Sequence, residues 1–403
     1  NLQGAQVGQQ VSNAVFSPRL GFIWDVNGNK TTQIRGGLGV FTTRLPLVWP
    51  GGTYNNNGVT GGFTFDATFF GPDAGQPFVA DVNNQFKSVA PGSGGLGGNI
   101  DLIAEDFVLP QVIKYNFAID QKLPWWGLIA SADFLYTDVI TDIYYENLNL
   151  GGPTGFYEGG DNRPFYNRRD ELDDTYGRVI LASNTGGGNA TTATFTLSKP
   201  FQNGFAGSVS YSFSESNKIF DGTSSQNSSQ WRNILTVNGK NSPNLPVTRS
   251  DFAGGSRILA NSSYQFDWNE NDSTTLALLY TGFQNAPYSF SYREGGDIFN
   301  DDSRDNALIY IPRNASEIQF AGDAASQAEQ WRQLDNFISS IDYLNENRGG
   351  YAERNAIRGP WSHIVDLKFL QDFKVNFGST KHTFQISADI FNFTNFMNKE
   401  WCR

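Results

Sequence analysis

Residues 204–214 read GFAGSVSYSFS. Phe205, Val209, Tyr211 and Phe213 fall on one side of an extended chain, and Ser208, Ser210, Ser212 and Ser214 on the other, a period of two that belongs to a strand with one apolar and one wet face. The same alternation returns at Phe195/Leu197 against Thr194/Thr196 and at Tyr264/Phe266/Trp268 against Ser263/Gln265/Asp267. It returns again at Phe384/Ile386/Ala388/Ile390 against Thr383/Gln385/Ser387/Asp389. A soluble sandwich alternates in strands of about 5–6 residues. These segments run for about ten residues or more and put rings on the apolar face, which favours a transmembrane barrel.

Composition agrees. Among 403 residues, 39% are hydrophobic and 14% aromatic, too aromatic for a disordered chain. No apolar run approaches the roughly 18–20 residues of a spanning helix, whereas a barrel, with its polar inner face, tolerates a low mean hydropathy. The net charge of −11 and the lack of a basic cluster longer than Arg168-Arg169 argue against nucleic acid as a partner. One cysteine, Cys402, allows no internal disulfide, and with His363 and His382 it makes no Cys/His zinc site. The N-terminus, NLQGAQVGQQ, has no signal-peptide pattern. An exported protein needs one, so the sequence reads as lacking its beginning.

Short polar connections at 26–29, 123–127, 201–204, 269–272 and 378–380 alternate with long Gly/Asn/Asp/Ser-rich ones at about 45–109, 149–176, 222–250 and 293–360. This asymmetry predicts an all-β, antiparallel meander barrel with short periplasmic turns and long extracellular loops. Ten strands are expected, at about 14–27, 31–44, 110–124, 127–148, 176–201, 204–222, 251–269, 273–292, 361–376 and 381–399. Trp24, Trp125, Trp126, Phe201, Phe205, Trp268, Phe373 and Phe377 crowd the short-turn rim as an interfacial girdle. Arg35, Lys114, Asp133, Asp267, Asp366 and Asp389, with Arg19, Asp120 and Lys368, alternate with apolar residues. A Lys or Arg on the lipid face would cost about 2–4 kcal/mol near the midplane, so these charges are expected to line the lumen. From about Ala324 to Leu344, Trp331, Leu334, Phe337/Ile338, Ile341 and Leu344 recur at helical spacing: one amphipathic helix in the longest loop, capped by Asp323 or Ser326. It either packs the loop onto the barrel mouth or contacts ligand.

Three stretches, SPRLGFIWDVNGNKTTQIRGGLGVFTTR at 17–44, RNAIRGPWSHIVDLKF at 354–369 and HTFQISADIFNFTNFMNKEW at 382–401, resemble the C-terminal barrel half of TonB-dependent outer-membrane receptors of the Bacteroidota type, the Oar-like relatives of the SusC family. The resemblance implies a barrel of about 22 strands around a plug, importing a scarce or large ligand with energy delivered by TonB, with a SusD-like surface lipoprotein as a further partner. Plug, first barrel half and final strand are then expected to lie outside residues 1–403. The ten strands would be roughly the twelfth to twenty-first.

The sequence offers no catalytic constellation. His363 and His382 fall on opposite rims, and the Asp173-Asp174 and Asp301-Asp302 pairs sit in loops. Asp297, Asp301, Asp302 and Asp305 offer hard oxygens for a structural calcium without the EF-hand spacing; a solvated acidic loop is the alternative. Trp49, Tyr54, Phe156, Tyr157, Tyr166 and Trp231 are the loop aromatics expected to be exposed and to stack on sugars or peptide side chains, unless they stabilise the loops themselves. Besides active import, a barrel serving secretion, surface anchoring or adhesion fits the same pattern.

Overall fold

The computed structural model describes residues 5–8, 13–58, 81, 96–167, 171–241, 245–292, 297–302 and 306–397. The elements that position the site are β1 (Arg19–Asp25), β2 (Thr32–Thr42), α1 (Val48–Asn55), β3 (Ile100–Ile103), β4 (Gln111–Lys122), β5 (Ile129–Asn147), β6 (Val179–Thr185), β7 (Asn189–Gln202) and β8 (Phe205–Lys218). They continue as α2 (Asn227–Asn233), β9 (Gly255–Asp267), β10 (Asp272–Gln284), α3 (Ala324–Ser339), α4 (Asp342–Glu346), β11 (Trp361–Phe377), β12 (Thr380–Ile390) and α5 (Phe393–Met397). Ten long strands pair antiparallel in the order β1-β2-β4-β5-β7-β8-β9-β10-β11-β12, a meander in which every sequence neighbour on this path is a spatial neighbour.

The short turns carry the backbone chemistry that tight hairpins require. Asn203 and Gly204 have φ of 55° and 78°, and Trp126 and Gly127 of 57° and 65°. Two successive positive φ values match the right-handed twist of the flanking strands. Trp126 then stacks on Phe205 with ring centroids 5.6 Å apart and only 5° between planes, fastening two adjacent turns on that rim.

Register fixes the two faces. Phe195 pairs with Tyr211 and Tyr211 with Ile258, and Leu197 pairs with Val209. Phe117 lies opposite Phe134 and Phe373 opposite Phe384. Apart from the half-buried Ile258, these apolar side chains are exposed, as are Val209 at 54% and Ile386 at 61%, a contiguous apolar surface of the kind that marks a lipid or partner interface. On the opposite face hydroxyls bond across the strands, Thr196 with Ser210 at 2.9 Å and Thr192 with Ser214 at 3.3 Å.

The structure revises three sequence expectations. The strand expected over 176–201 breaks at Gly186-Gly187-Gly188, where Gly187 and Gly188 have φ of 93° and 124°. β7 pairs with the lower half of β5, and β6 returns to pair with its upper half, Asp142 to Asn147. Within connection 45–109 lie α1 and β3, the latter parallel to β6. The helix expected over 324–344 is two, α3 and α4, divided at Ser340-Ile341. Asp323 caps α3 by accepting from the Ser326 amide at 2.9 Å. Ile338 and Leu344 are buried against Ile311 and Ala352, so the pair packs the loop. The last strand ends at Ile390 rather than 399, because Asn392, with φ of 53°, turns the chain into α5.

Candidate functional site

The polar face of the sheet holds a charge network. Arg35, central in β2, spans two strands: its Nε donates to Asp120 Oδ2 at 3.1 Å and its Nη2 to Asp133 Oδ2 at 2.8 Å. Ala118 lies directly between Arg35 and Asp133 in the register and is fully buried, so the small side chain leaves the guanidinium room to reach over it. Ser131 Oγ donates to the free oxygen of Asp120 at 2.6 Å. Further round the sheet, Lys368 Nζ meets Asp389 Oδ1 at 3.0 Å, Asp366 accepts from the Asn392 amide at 2.7 Å, and Asp267 accepts from Gln265 at 2.7 Å. Lys114 makes no such pair among the described residues; it and Arg19 lie 5.5 and 4.4 Å from the centroid of Phe41. Arg19, Phe41, Lys114 and Asp133 line a cavity of about 500 Å³.

Above the long-loop ends of the strands the connections form one packed cap. Leu102, Phe107, Tyr145, Ile180, Leu181, Phe220, Trp231 and Leu245 make its core, drawn from widely separated segments. Lys240 Nζ sits 2.7 and 2.9 Å from the two oxygens of Asp301, both side chains fully buried, with Trp231 and Phe299 rings 5.4 and 5.5 Å away. Burial pushes the Lys240 ammonium below its ordinary range, and the Asp301 carboxylate opposes that shift. Arg163, equally buried, donates to Asp161 at 2.8 Å and is ringed by Tyr292, Phe299 and Tyr351. Tyr351, whose hydroxyl reaches Asp161, has its pKa pushed up to about 12 by burial and by that carboxylate.

Between cap and sheet lies a cavity of about 290 Å³ lined by Thr43, Arg44, Trp49, Asp142, Lys218 and Phe220. The Trp49 indole is fixed from its edge, where Nε1 donates to the Ser224 carbonyl at 2.9 Å. Gly222, at φ of 70°, brings the chain past the ring; a Cβ there would stand 3.3 Å from it. A larger cavity of about 580 Å³ lies among Leu245, Val247, Arg249, Glu353 and Asn355, and there Arg249 is held by Glu215 and by the carbonyls of Asn355 and Ala356.

A ten-strand meander with an exposed apolar face and an ion-paired face is the arrangement of a membrane barrel wall. A family model described as "Outer membrane beta barrel domain" matches residues 3–399. The chain belongs to that family. Its place is the outer membrane, and no helix among the described residues is long and apolar enough to cross a membrane. A search of curated proteins finds no match. Among solved structures, the outer membrane transporter YddB of Escherichia coli aligns at 13% identity and a TM-score of 0.47, over 95% of this chain and 37% of that one. A ferric enterobactin receptor (PfeA) mutant from Pseudomonas aeruginosa aligns at 10% and 0.40, over 94% and 34%. The FrpB iron transporter of Neisseria meningitidis aligns at 8% and 0.32, over 93% and 41%. The chain thus spans well under half the length of each.

In this outer-membrane barrel the charges expected to share a face do so. Arg35, Lys114, Asp133, Asp267, Asp366 and Asp389 all fall on the polar side by register. The loop aromatics divide. Tyr54, Phe156 and Tyr157 are exposed, although Tyr157 donates to the Ile298 carbonyl at 2.7 Å. Trp49 lines the cavity above the sheet. The expectation of exposure is corrected at Tyr166 and Trp231, which are buried: Tyr166 donates to the Asn238 carbonyl at 3.2 Å and Trp231 to Asn241 at 2.8 Å. They hold the cap together because an indole or phenol buried among four loops gains apolar contact while its polar tip keeps a partner. Of the four carboxylates considered for calcium, Asp301 faces Lys240, Asp302 meets Arg178 at 2.6 Å, and Asp305 lies outside the described residues. Among the described residues no three His, Cys, Asp or Glu side chains are grouped to hold a metal ion. Arg44, Lys218, Phe220, Lys240 and Arg163 went unnoticed in the sequence, each a single residue in a loop or at a strand end with no local pattern to mark it.

Proposed function

We propose that this chain is part of the wall of a larger barrel, of about 22 strands, that imports a scarce or large ligand across the outer membrane in a TonB-dependent manner. Its polar face is the lumen wall and its long connections are extracellular. The observation that carries this reading is a pair of open edges: among the described residues β1 and β12 each have one strand neighbour. Bare backbone donors and acceptors are not tolerated in hydrocarbon, so further strands must close the wall. A closed barrel of that size has room for a plug against the Arg35 network. The resemblance to SusC and Oar-like receptors of Bacteroidota supplies energy coupling. It also supplies a SusD-like lipoprotein as partner for the loop crown, where Leu172 and Phe252 stand 73% and 70% exposed.

Two measurements test it. In cells carrying the full-length protein with Cys402 replaced by Ser, a membrane-impermeant maleimide should label Phe156→Cys and leave Asn27→Cys untouched; equal labelling of both removes the assignment of rims. Uptake should stop when TonB is deleted or the proton gradient is collapsed. Import at the normal rate without TonB would hand the protein to the class of secretion, anchoring or adhesion barrels.

A further inference from the structure

Toward the long-loop ends of β1, β2 and β4, Arg19 and Lys114 on the polar face and Arg44 just beyond Thr42 stand within 4 Å of no carboxylate among the described residues. Neighbouring carboxylates are held elsewhere. Asp142 meets Lys218 at 3.3 Å, Asp221 meets Arg354 at 3.3 Å, and Asp133 is held by Arg35 at 2.8 Å.

Register puts the cations in a line. Arg19 pairs with Gly39 and Gly39 with Lys114, while Phe41 and Val112 form the next polar-face pair toward the loops. Thr43 follows, its amide bonded to Pro110. Two residues along a strand advance about 7 Å, so the cavity of Arg19, Phe41 and Lys114 lies one step below the cavity of Thr43, Arg44, Trp49 and Val112. Phe41 holds both lower cations over its ring. Gly39 makes that possible, since a Cβ there would stand 2.9 Å from Arg19 Cγ and 3.2 Å from the Phe41 ring. Two polar-face positions further down, Arg35 is bracketed by Asp120 and Asp133, and the local sign turns negative.

We propose that β1, β2 and β4 carry a cationic track for an anionic ligand, a carboxylate- or phosphate-bearing molecule with a flat ring. It enters where Trp49 offers its face and Arg44 its charge, and descends to Arg19 and Lys114. This rests on reading the polar face as the lumen wall. Low-dielectric walls around a groove of one sign concentrate the opposite charge there, and the reversal at Arg35 ends the track.

The full-length protein in detergent tests this by calorimetry, with benzene-1,3,5-tricarboxylate and its uncharged analogue benzene-1,3,5-trimethanol as probes. At low salt the tricarboxylate should bind roughly tenfold or more tighter than the triol. R19Q/K114Q should remove about tenfold of that preference and most of its salt dependence, whereas K374Q/K381Q, an equal charge loss at the short-turn rim, should not. W49L should weaken the tricarboxylate and leave citrate, which has no ring, unchanged. If R19Q/K114Q fails to fold, R44Q, at an exposed position, should still lower the preference. Unchanged tricarboxylate affinity in R19Q/K114Q or R44Q, or an equal loss in K374Q/K381Q, overturns the proposal. So does a R19Q/K114Q barrel that becomes leaky to ions in liposomes with its tricarboxylate affinity intact, because the cations would then serve to seat a plug. Failure of TonB-dependent uptake leaves these binding results interpretable on their own.

Discussion

Replacing Lys240 by Ala should loosen the loop cap by about 3–5 kcal/mol, the usual cost of leaving one charge of a fully buried pair behind. The Asp301 carboxylate would stay in an interior lined by Trp231 and Phe299 without this ammonium. Coulombic attraction and desolvation nearly cancel while both partners are present, so replacing the two together by apolar residues, K240M/D301L, should recover most of the loss. Hydrogen exchange on the full-length protein reads it. In K240A the amides around Trp231, Asn241 and Phe299 should exchange much faster, while those of the strands β7 to β10 keep their protection. Parent-like protection in K240A would mean that the pair does not hold the cap.

The second large effect lies on the other surface. Val209→Arg should cost about 2–4 kcal/mol in a lipid bilayer, because the side chain points out from the middle of β8 and a guanidinium there must be drawn toward the interface or leave the hydrocarbon deformed. Ser210→Arg, one residue on, enters the hydroxyl-lined face beside Thr196 and should cost far less. Urea unfolding of the full-length barrel refolded into vesicles compares them, and outer-membrane abundance should follow the same order. Equal costs for the two neighbours would reverse or abolish the assignment of faces.

Period-two patterning made most of the sheet readable in advance, since each residue along a strand switches sides and a buried or lipid-facing side leaves an apolar trace. Arg35, Asp120 and Asp133 were assignable to one face by that parity alone, even though their mutual contacts span 85 and 98 residues of sequence. What escaped was whatever depends on segments meeting across the cap. Tyr166 and Trp231 carry the same local signature as Phe156, aromatics in polar loops, and only the packing of four connections decides that the first two are buried. Lys240 and Asp301, 61 residues apart, have no sequence feature that announces a shared interior. The break at Gly186-Gly187-Gly188 falls inside the single strand expected over 176–201. The return of β6 onto the upper half of β5 is a tertiary choice that local sequence does not carry.

β5 runs for 19 residues, about 63 Å at 3.3 Å per residue, where a tilted strand needs about 9–11 to cross the hydrocarbon. The surplus, Asp142 to Asn147, stands clear of the bilayer and carries β6 and, through it, β3. The described part of the barrel's outer rim is therefore mounted on a continuation of its own wall. On the import reading, a ligand arriving from outside meets strand-braced backbone at β6 and β3, whose ordering entropy has already been spent during folding.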